Sequence, residues 1–383
     1  MGLGRHRRRR GRRGRWRCAA RPAPPGPGRD RRSRGRIRSR GRRVIRSTKA
    51  VAALVLGGAL LLGGCGIGKA GVPGSGTDPA ARCGAGTVSA PKGNPEPVGK
   101  PDEPELPVTV RSADGRDVTV RDVRRVLAVN LYGSLAEIVY GLGLGDRLVG
   151  RDISTTFPAA QALPLVTGQG HDLSAEGVLK LDPSVVITDK SIGPPEVLDQ
   201  IRQAGVPVVL VDDRQTLPAI GPHIRAVAGA LGVPDAGRRL AARVDGQIEE
   251  AAKSASGARL KVAFLYVRGS AGVYLIGGKG AGSDAMIEAI GAADAGSSLG
   301  LSGFRPLTSE GLINAAPDVL LVMTAGLKSV GGVSGLLKLP GVAQTPAGLN
   351  RRIIDVDDGT LLSFGPRTGE TISALAAAVH RTC

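Results

Sequence analysis

Residues 174–187 read SAEGVLKLDPSVVI and residues 308–321 read TSEGLINAAPDVLL. The two stretches agree at Glu-Gly and at Pro, and they share their apolar positions. In each, a Ser or Thr stands where a helix cap belongs and an acid follows in the first turn, where it suits the helix dipole. Proline then stops the helix and an apolar run continues as a strand. Between the copies lies DAGRRLAARVDGQIEEAAKS, residues 235–254. Its Leu240, Val244 and Ile248 fall four apart with charges elsewhere, and Asp235 supplies a cap, so the spacing predicts one long helix. Around it, strand-like runs alternate with helical ones: RVLAVN then SLAEIVYGLG, SVVIT then PPEVLDQIRQAG, VPVVLVD then LPAIGPHIRAVAGALG. That rhythm gives parallel sheet covered by helices. The expected fold is therefore α/β: two Rossmann-like lobes, residues 107–233 and 257–383, joined by one long helix over residues 234–256. The run PVTVRSADGRDVTV, turning at Asp114-Gly115, adds a hairpin at the start of the first lobe.

The charge of +19 over 383 residues suggests a nucleic-acid binder until it is located. Residues 1–46 hold 20 Arg against one acid, Asp30, which leaves 32 basic and 32 acidic groups in the remainder. A neutral body has no electrostatic footprint for nucleic acid, and no nucleic-acid partner is expected. After the Arg-rich tail, VIRSTKAVAALVLGGALLLGGC has a short basic start, an uncharged run from Ala50 to Gly64 and then Cys65. This is the pattern of a secretory signal, too short to span a bilayer with ease. Leu62-Gly63-Gly64-Cys65 resembles a bacterial lipobox, which makes Cys65 the acylated first residue of a mature, lipid-anchored chain on the outer face of the cell membrane. Val44 is an alternative initiator that gives a leader of ordinary size, so residues 1–64 are set aside as tail plus leader. Residues 65–106, rich in Gly and Pro without an apolar period, read as a flexible tether. With Cys65 acylated, Cys83 and Cys383 are the cysteines left for a disulfide.

Several separated motifs resemble one family. LAEIVYGLGLGDRLVGRD, SAEGVLKLDPSVVITD and IRQAGVPVVLVDD are similar to the substrate-binding proteins of ABC importers for iron complexes and cobalamin, across roughly residues 124–380. GRDISTTFP, VTGQGHDLSAEG, FLYVRGSAGVYLIGG, LVMTAGLKSVGG, AQTPAGLNRRI and LLSFGPR resemble more narrowly the HmuT-like hemin-binding lipoproteins of Gram-positive heme importers. The resemblance implies a binding protein rather than an enzyme. Its cargo is heme, its partners are an ABC permease with its ATPase, and heme-donor surface proteins stand upstream.

In that family the heme iron is held between a His of the first lobe and a Tyr of the second, with an Arg near the Tyr. The matching residues are His171, Tyr266 and Arg268. The chemistry agrees: ferric iron favours an anionic oxygen, a free phenol at pKa ~10 needs help to ionise, and a guanidinium keeps its proton throughout. Residues two apart on a strand share a face, so Tyr266 and Arg268 share a pocket. His171 follows Gly168 and Gly170 and precedes the Ser174 cap, on a glycine loop, and neutral imidazole is a common iron ligand. Met323 matches a position that faces the heme, with a core Met as the plain alternative. Tyr274, eight residues from Tyr266, shares its face if the strand is unbroken, whereas Gly269 and Gly272 favour a turn that leaves Tyr274 in ordinary packing. Phe304 is expected on the ring and Arg367, in SFGPR, on a propionate. Glu176 and Glu310, at equivalent places in the two repeats, match the acids that dock on permease arginines, although a helix-start acid also suits the dipole.

Two other readings of the body remain, and nucleic-acid binding stays open only through residues 1–46. The same fold serves ferric siderophores and cobalamin. An enzyme on an α/β scaffold is the more distant rival, and GLGLG at residues 141–145 lacks the GxGxxG spacing, while no GxSxG or phosphate-loop motif occurs.

Overall fold

The computed structural model describes residues 84–89, 91–100, 102–168, 172–255 and 257–381. The Arg-rich tail, the leader, Cys65, Cys83, His171 and Cys383 lie outside the described residues.

The first lobe is built on three short parallel strands, β4 (Val126–Ala128), β5 (Val185–Thr188) and β6 (Val208–Leu210), in that spatial order. All of their residues are buried, as expected of parallel strands covered on both faces. Helices α1 (Ser134–Val139), α2 (Ala175–Leu179), α3 (Pro195–Gln203) and α4 (Leu217–Ala230) pack around them. The expected hairpin forms ahead of this sheet as β2 (Val108–Arg111) and β3 (Asp117–Val120), with Gly115 at φ 83 closing the turn. Ser112 ties it to β6 by accepting from the Leu210 amide at 2.9 Å.

Helix α5 spans Pro234–Ser254, close to the predicted bounds, with Pro at its first turn. Asp235 does not cap it as expected, because the helix begins one residue before it, and its carboxylate pairs with Arg238 instead. Leu240 and Val244 are fully buried and Ile248 half-buried. The helix lies between α4 and α12 (Thr368–Val379). Glycine permits both contacts: a Cβ on Gly237 would stand 2.4 Å from the Ala228 Cβ, and one on Gly369 would stand 2.8 Å from the Gln247 Cβ.

The second lobe carries the larger sheet. In chain order its strands are β1 (Gly86–Val88), β7 (Lys261–Arg268), β8 (Val273–Gly277), β9 (Ala293–Asp294), β10 (Phe304–Pro306), β11 (Val319–Met323) and β12 (Ile353–Val356). The spatial order is β1-β12-β11-β7-β8-β10, with β9 also beside β7. The pairs β1–β12, β12–β11 and β11–β7 are parallel, whereas β8 returns antiparallel on β7 and β10 on β8. Helices α6 (Ser283–Ala289), α7 (Ala295–Ser298), α8 (Ser309–Ala315), α9 (Thr324–Ser329), α10 (Gly332–Leu336) and α11 (Pro346–Leu349) complete it.

One expectation is corrected. The predicted tether, residues 65–106, is part of the fold from Gly86 onward. Strand β1 adds a parallel edge to β12 with Val88 buried, and the segment after it runs as a strap over the first lobe and α5. The Val98 amide donates to Gly141 O at 2.8 Å, Asn94 bonds the Tyr140 hydroxyl at 3.1 Å, Asp102 pairs with Arg239 at 2.8 Å, and the Glu105 amide donates to Gly232 O at 2.8 Å. A Gly/Pro-rich segment without periodicity looks unstructured because its order comes from backbone partners elsewhere in the chain, not from a face of its own.

Candidate functional site

Parallel α/β sheets place their binding residues just beyond the carboxyl ends of the strands. Here the carboxyl end of β7 and the segments after β4, β11 and β12 converge on a cleft of about 650 Å³. Its first wall comes from Leu131 and Tyr132 after β4, together with Ile153, Ser154 and Thr156. Its second wall carries Tyr266 and Arg268 from β7, Leu275 from β8, Phe304 from β10, Met323 and Ala325 around the end of β11, and Asp358, Leu362 and Ser363 beyond β12.

The alternation along β7 sorts its side chains. Phe264 and Tyr266 belong to the packing face that meets the cleft, while Leu265 and Val267 face the opposite core. Phe304 crosses the end of this row, its ring centroid 6.1 Å from Phe264 and 5.9 Å from Tyr266. Arg268 places its Cζ 4.6 Å from the Tyr266 ring centroid, in cation–π contact. Its guanidinium donates to Val267 O at 3.0 Å, to the Met323 sulfur at 3.5 Å and to Asp358 Oδ1 at 2.8 Å. The structure thus brings together Tyr266, Arg268, Met323 and Phe304, four of the residues singled out in the sequence.

Two others go elsewhere. Tyr274 faces the second core, because the turn at Gly269–Ala271 sets Tyr266 opposite Leu275 and Val267 opposite Tyr274. Cross-strand partners share a face, so Leu275 rather than Tyr274 lines the cleft. Arg367 is buried at 7% exposure away from the cleft walls, where its guanidinium pairs with Glu137 of α1 and donates to Pro91 O at 3.1 Å and Gly93 O at 3.4 Å. It joins the second lobe, the first lobe and the strap, and the propionate contact expected of it is not available. The turn before it, with Phe364 at φ 46, presents Leu362 and Ser363 to the cleft instead.

His171 has no described position, but the base of its loop does. Thr167 pairs with Leu173, the Gly168 amide donates to Asp172 O at 2.8 Å, and Thr167 Oγ1 accepts from the Ile153 amide at 3.0 Å. The loop is therefore rooted on a residue of the first cleft wall.

That wall rests on a buried polar network. Asp152 accepts from the Asn130 amide at 3.0 Å and the Thr155 amide at 2.7 Å, and Asn130 Nδ2 donates to Asp189 at 3.0 Å. Burial pushes the Asp152 carboxyl up to about 6, outweighing those hydrogen bonds, and raises Asp189 as well. The Tyr132 phenol is also raised, first by burial and then by the charges of Asp189 and Asp213, which keeps it protonated as a hydrogen-bond donor. Tyr132, Leu275 and Asp358 were not singled out from the sequence. The available signal was position: Tyr132 and Asp358 lie in the short segments that follow β4, which ends at Ala128, and β12, which ends at Val356.

The repeat behaves as read. Ser174 caps α2 by accepting from the Gly177 amide at 3.0 Å, and Thr308 caps α8 by accepting from the Gly311 amide at 3.1 Å. Glu176 and Glu310 are both exposed in the first turns of these helices.

The family of periplasmic binding proteins matches residues 129–360. The chain belongs to that family. Among solved structures it is similar to the heme binding protein HmuT, with 41% identity, TM-score 0.76, and coverage of 80% of this chain and 100% of that one. Variants of HmuT in which a His, a Tyr or an Arg is replaced by Ala also match, the Tyr and Arg lying two positions apart, as Tyr266 and Arg268 do. The periplasmic heme-binding protein RhuT from Roseiflexus is 46% identical with TM-score 0.64, over 67% of this chain and 98% of that one. Among curated proteins, the ABC transporter substrate-binding lipoprotein YvrC of Bacillus subtilis is 28% identical over 280 residues, 72% of this chain and 86% of the relative. The vitamin B12-binding protein of Vibrio campbellii is 25% identical over 204 residues, 53% of this chain and 72% of the relative. No helix among the described residues is long and apolar enough to cross a membrane.

Proposed function

We propose that this protein captures ferric heme between its two lobes and delivers it to an ABC permease. The observation that carries the reading is the Tyr266–Arg268–Met323 cluster on one wall of a mainly apolar cleft. A phenolate oxygen suits ferric iron, and the Arg268 guanidinium lies against the face of the ring that would carry it. Phe304, Leu275, Leu362 and Ile153 give a flat macrocycle apolar surface on both sides. His171, on the loop rooted beside Ile153, is the proposed ligand from the opposite lobe. HmuT and RhuT, whose names state heme binding, support the same cargo.

The wider setting follows from the same reading. Acylation of Cys65 would tether the protein to the extracytoplasmic face of the membrane, as the lipoprotein name of YvrC suggests for that relative. Glu176 and Glu310, one exposed on each lobe, would meet basic groups of the permease and steer docking more than tighten it. The long α5, packed on both lobes, favours small rotations over wide hinge closure.

Cobalamin is the alternative cargo, favoured by the vitamin B12-binding relative. Equilibrium titrations of the purified protein with hemin and with cyanocobalamin, followed by absorption, separate the two. Hemin should give a shifted Soret band that saturates, and cobalamin should neither bind nor compete. Saturable cobalamin binding with an unchanged hemin spectrum would overturn the reading.

A further inference from the structure

The Arg268 guanidinium is held on more sides than a simple cargo contact requires. Its Nη2 donates to Asp358 Oδ1 at 2.8 Å, and Asp358 is itself fixed through Oδ2, which accepts from the Ala325 amide at 2.7 Å. Its Nη1 donates to Val267 O at 3.0 Å. The first turn of α9 approaches so closely that a Cβ on Gly326 would lie 3.0 Å from Arg268 Nη1 and 2.6 Å from Val267 O. The result of this clamp is the placement of Cζ 4.6 Å from the Tyr266 ring centroid. Among the described residues that line the cleft, Arg268 is the sole cation, and Asp358 matches it with one negative charge.

We propose that Asp358 is a positioning residue for the iron–phenolate bond: it pins Arg268 to the face of the Tyr266 ring and cancels its charge, and so sets how strongly the site prefers ferric over ferrous heme. This inference rests on the heme reading above. An uncompensated guanidinium beside a ligating phenolate draws electron density from the oxygen and adds a positive charge near the iron, and both effects disfavour the ferric state. With Asp358 in place the pair is neutral, and the phenolate donates to iron at nearly full strength. The pairing also withholds Arg268 from carboxylate groups of the cargo, which would have to displace an acid already fixed through both oxygens.

The sign of the effect makes the test specific. Asp358→Asn should raise the midpoint potential of the bound heme and move the phenolate-to-iron charge-transfer band to higher energy, the ferric-over-ferrous affinity ratio falling about tenfold. Arg268→Gln, which leaves the carboxylate beside the phenolate, should move both quantities the opposite way, and the double variant should return toward wild type. Asp358→Glu should recover most of the wild-type potential. A general loosening of the site would instead move Asp358→Asn and Arg268→Gln in the same direction, and that result, or no shift in Asp358→Asn, overturns the proposal. The crystal structure of the cargo-free Asp358→Ala protein supplies a readout independent of heme. The guanidinium should leave the Tyr266 ring, and its retention in place refutes the clamp. Failure of the wild-type protein to bind hemin would defeat the functional reading, while this crystal structure still decides the clamp.

Discussion

Replacing Arg367 by Met removes the cation that joins both lobes and the strap. Glu137 is then left with its carboxylate in a site where its side chain is 6% exposed and Oε2 already lacks a hydrogen-bond partner. Breaking a buried pair from one side costs about 3–5 kcal/mol, chiefly because the remaining charge is uncompensated. At roughly 2–4 °C per kcal/mol for a protein of this size, the melting temperature at pH 7.5 should fall by roughly 6–20 °C. The loss should depend on pH. Burial already pushes the Glu137 carboxyl up, with the Arg367 charge and hydrogen bond pulling it down and Glu370 adding to the rise. Without Arg367 the folded-state value climbs further above the unfolded one, so the folded protein binds that proton more tightly. The variant should therefore recover stability as pH falls through that raised value and lose it as pH rises. Calorimetry of the cargo-free variant between pH 5 and pH 8, beside a Glu137→Leu/Arg367→Met variant that removes both charges, measures this. An Arg367→Met protein as stable as wild type at every pH, but weaker toward hemin, would refute the inter-lobe assignment and restore the propionate contact expected from the sequence.

Two further outcomes follow from the same structure. Because the Asp152 carboxyl is raised to about 6 in the folded protein, its contribution to stability is fully present below its unfolded value and lost as pH rises through about 6. That contribution is on the order of 3 kcal/mol, and Asp152→Asn should flatten the corresponding slope in a urea-midpoint-against-pH series. A chain beginning at Pro107 lacks β1 and the strap, which uncovers the β12 edge and the strap-facing side of α5. It should melt lower and aggregate on heating, whereas a chain beginning at Gly84, which keeps β1 and the strap, should melt higher and stay monodisperse in light scattering.

What the sequence revealed and what it hid divide along the distance between partners. The caps at Ser174 and Thr308, the long helix over 234–254 and the Gly115 turn depend on residues a few positions away, and each is where the pattern put it. Tyr266 and Arg268 were legible as a pair because strand alternation is local. Tyr274 was not, since its facing depends on how many residues the turn at Gly269–Ala271 consumes before β8 pairs back. Asp358 meets Arg268 from 90 positions away, and Arg367 meets Glu137 from 230 away, so neither contact leaves a trace in residue spacing. Strand β1, three residues of Gly-Thr-Val in a linker-like composition, is a strand because β12 offers it an edge.

The proposed heme site requires Tyr266 to ligate the iron of a heme lying in the cleft. Resonance Raman spectra of the ferric complex, excited in the phenolate-to-iron charge-transfer band, decide whether it does. Phenolate ring modes should appear in the wild-type protein, persist in His171→Ala and vanish in Tyr266→Phe. Their absence from wild type, or their survival in Tyr266→Phe, would contradict the assignment.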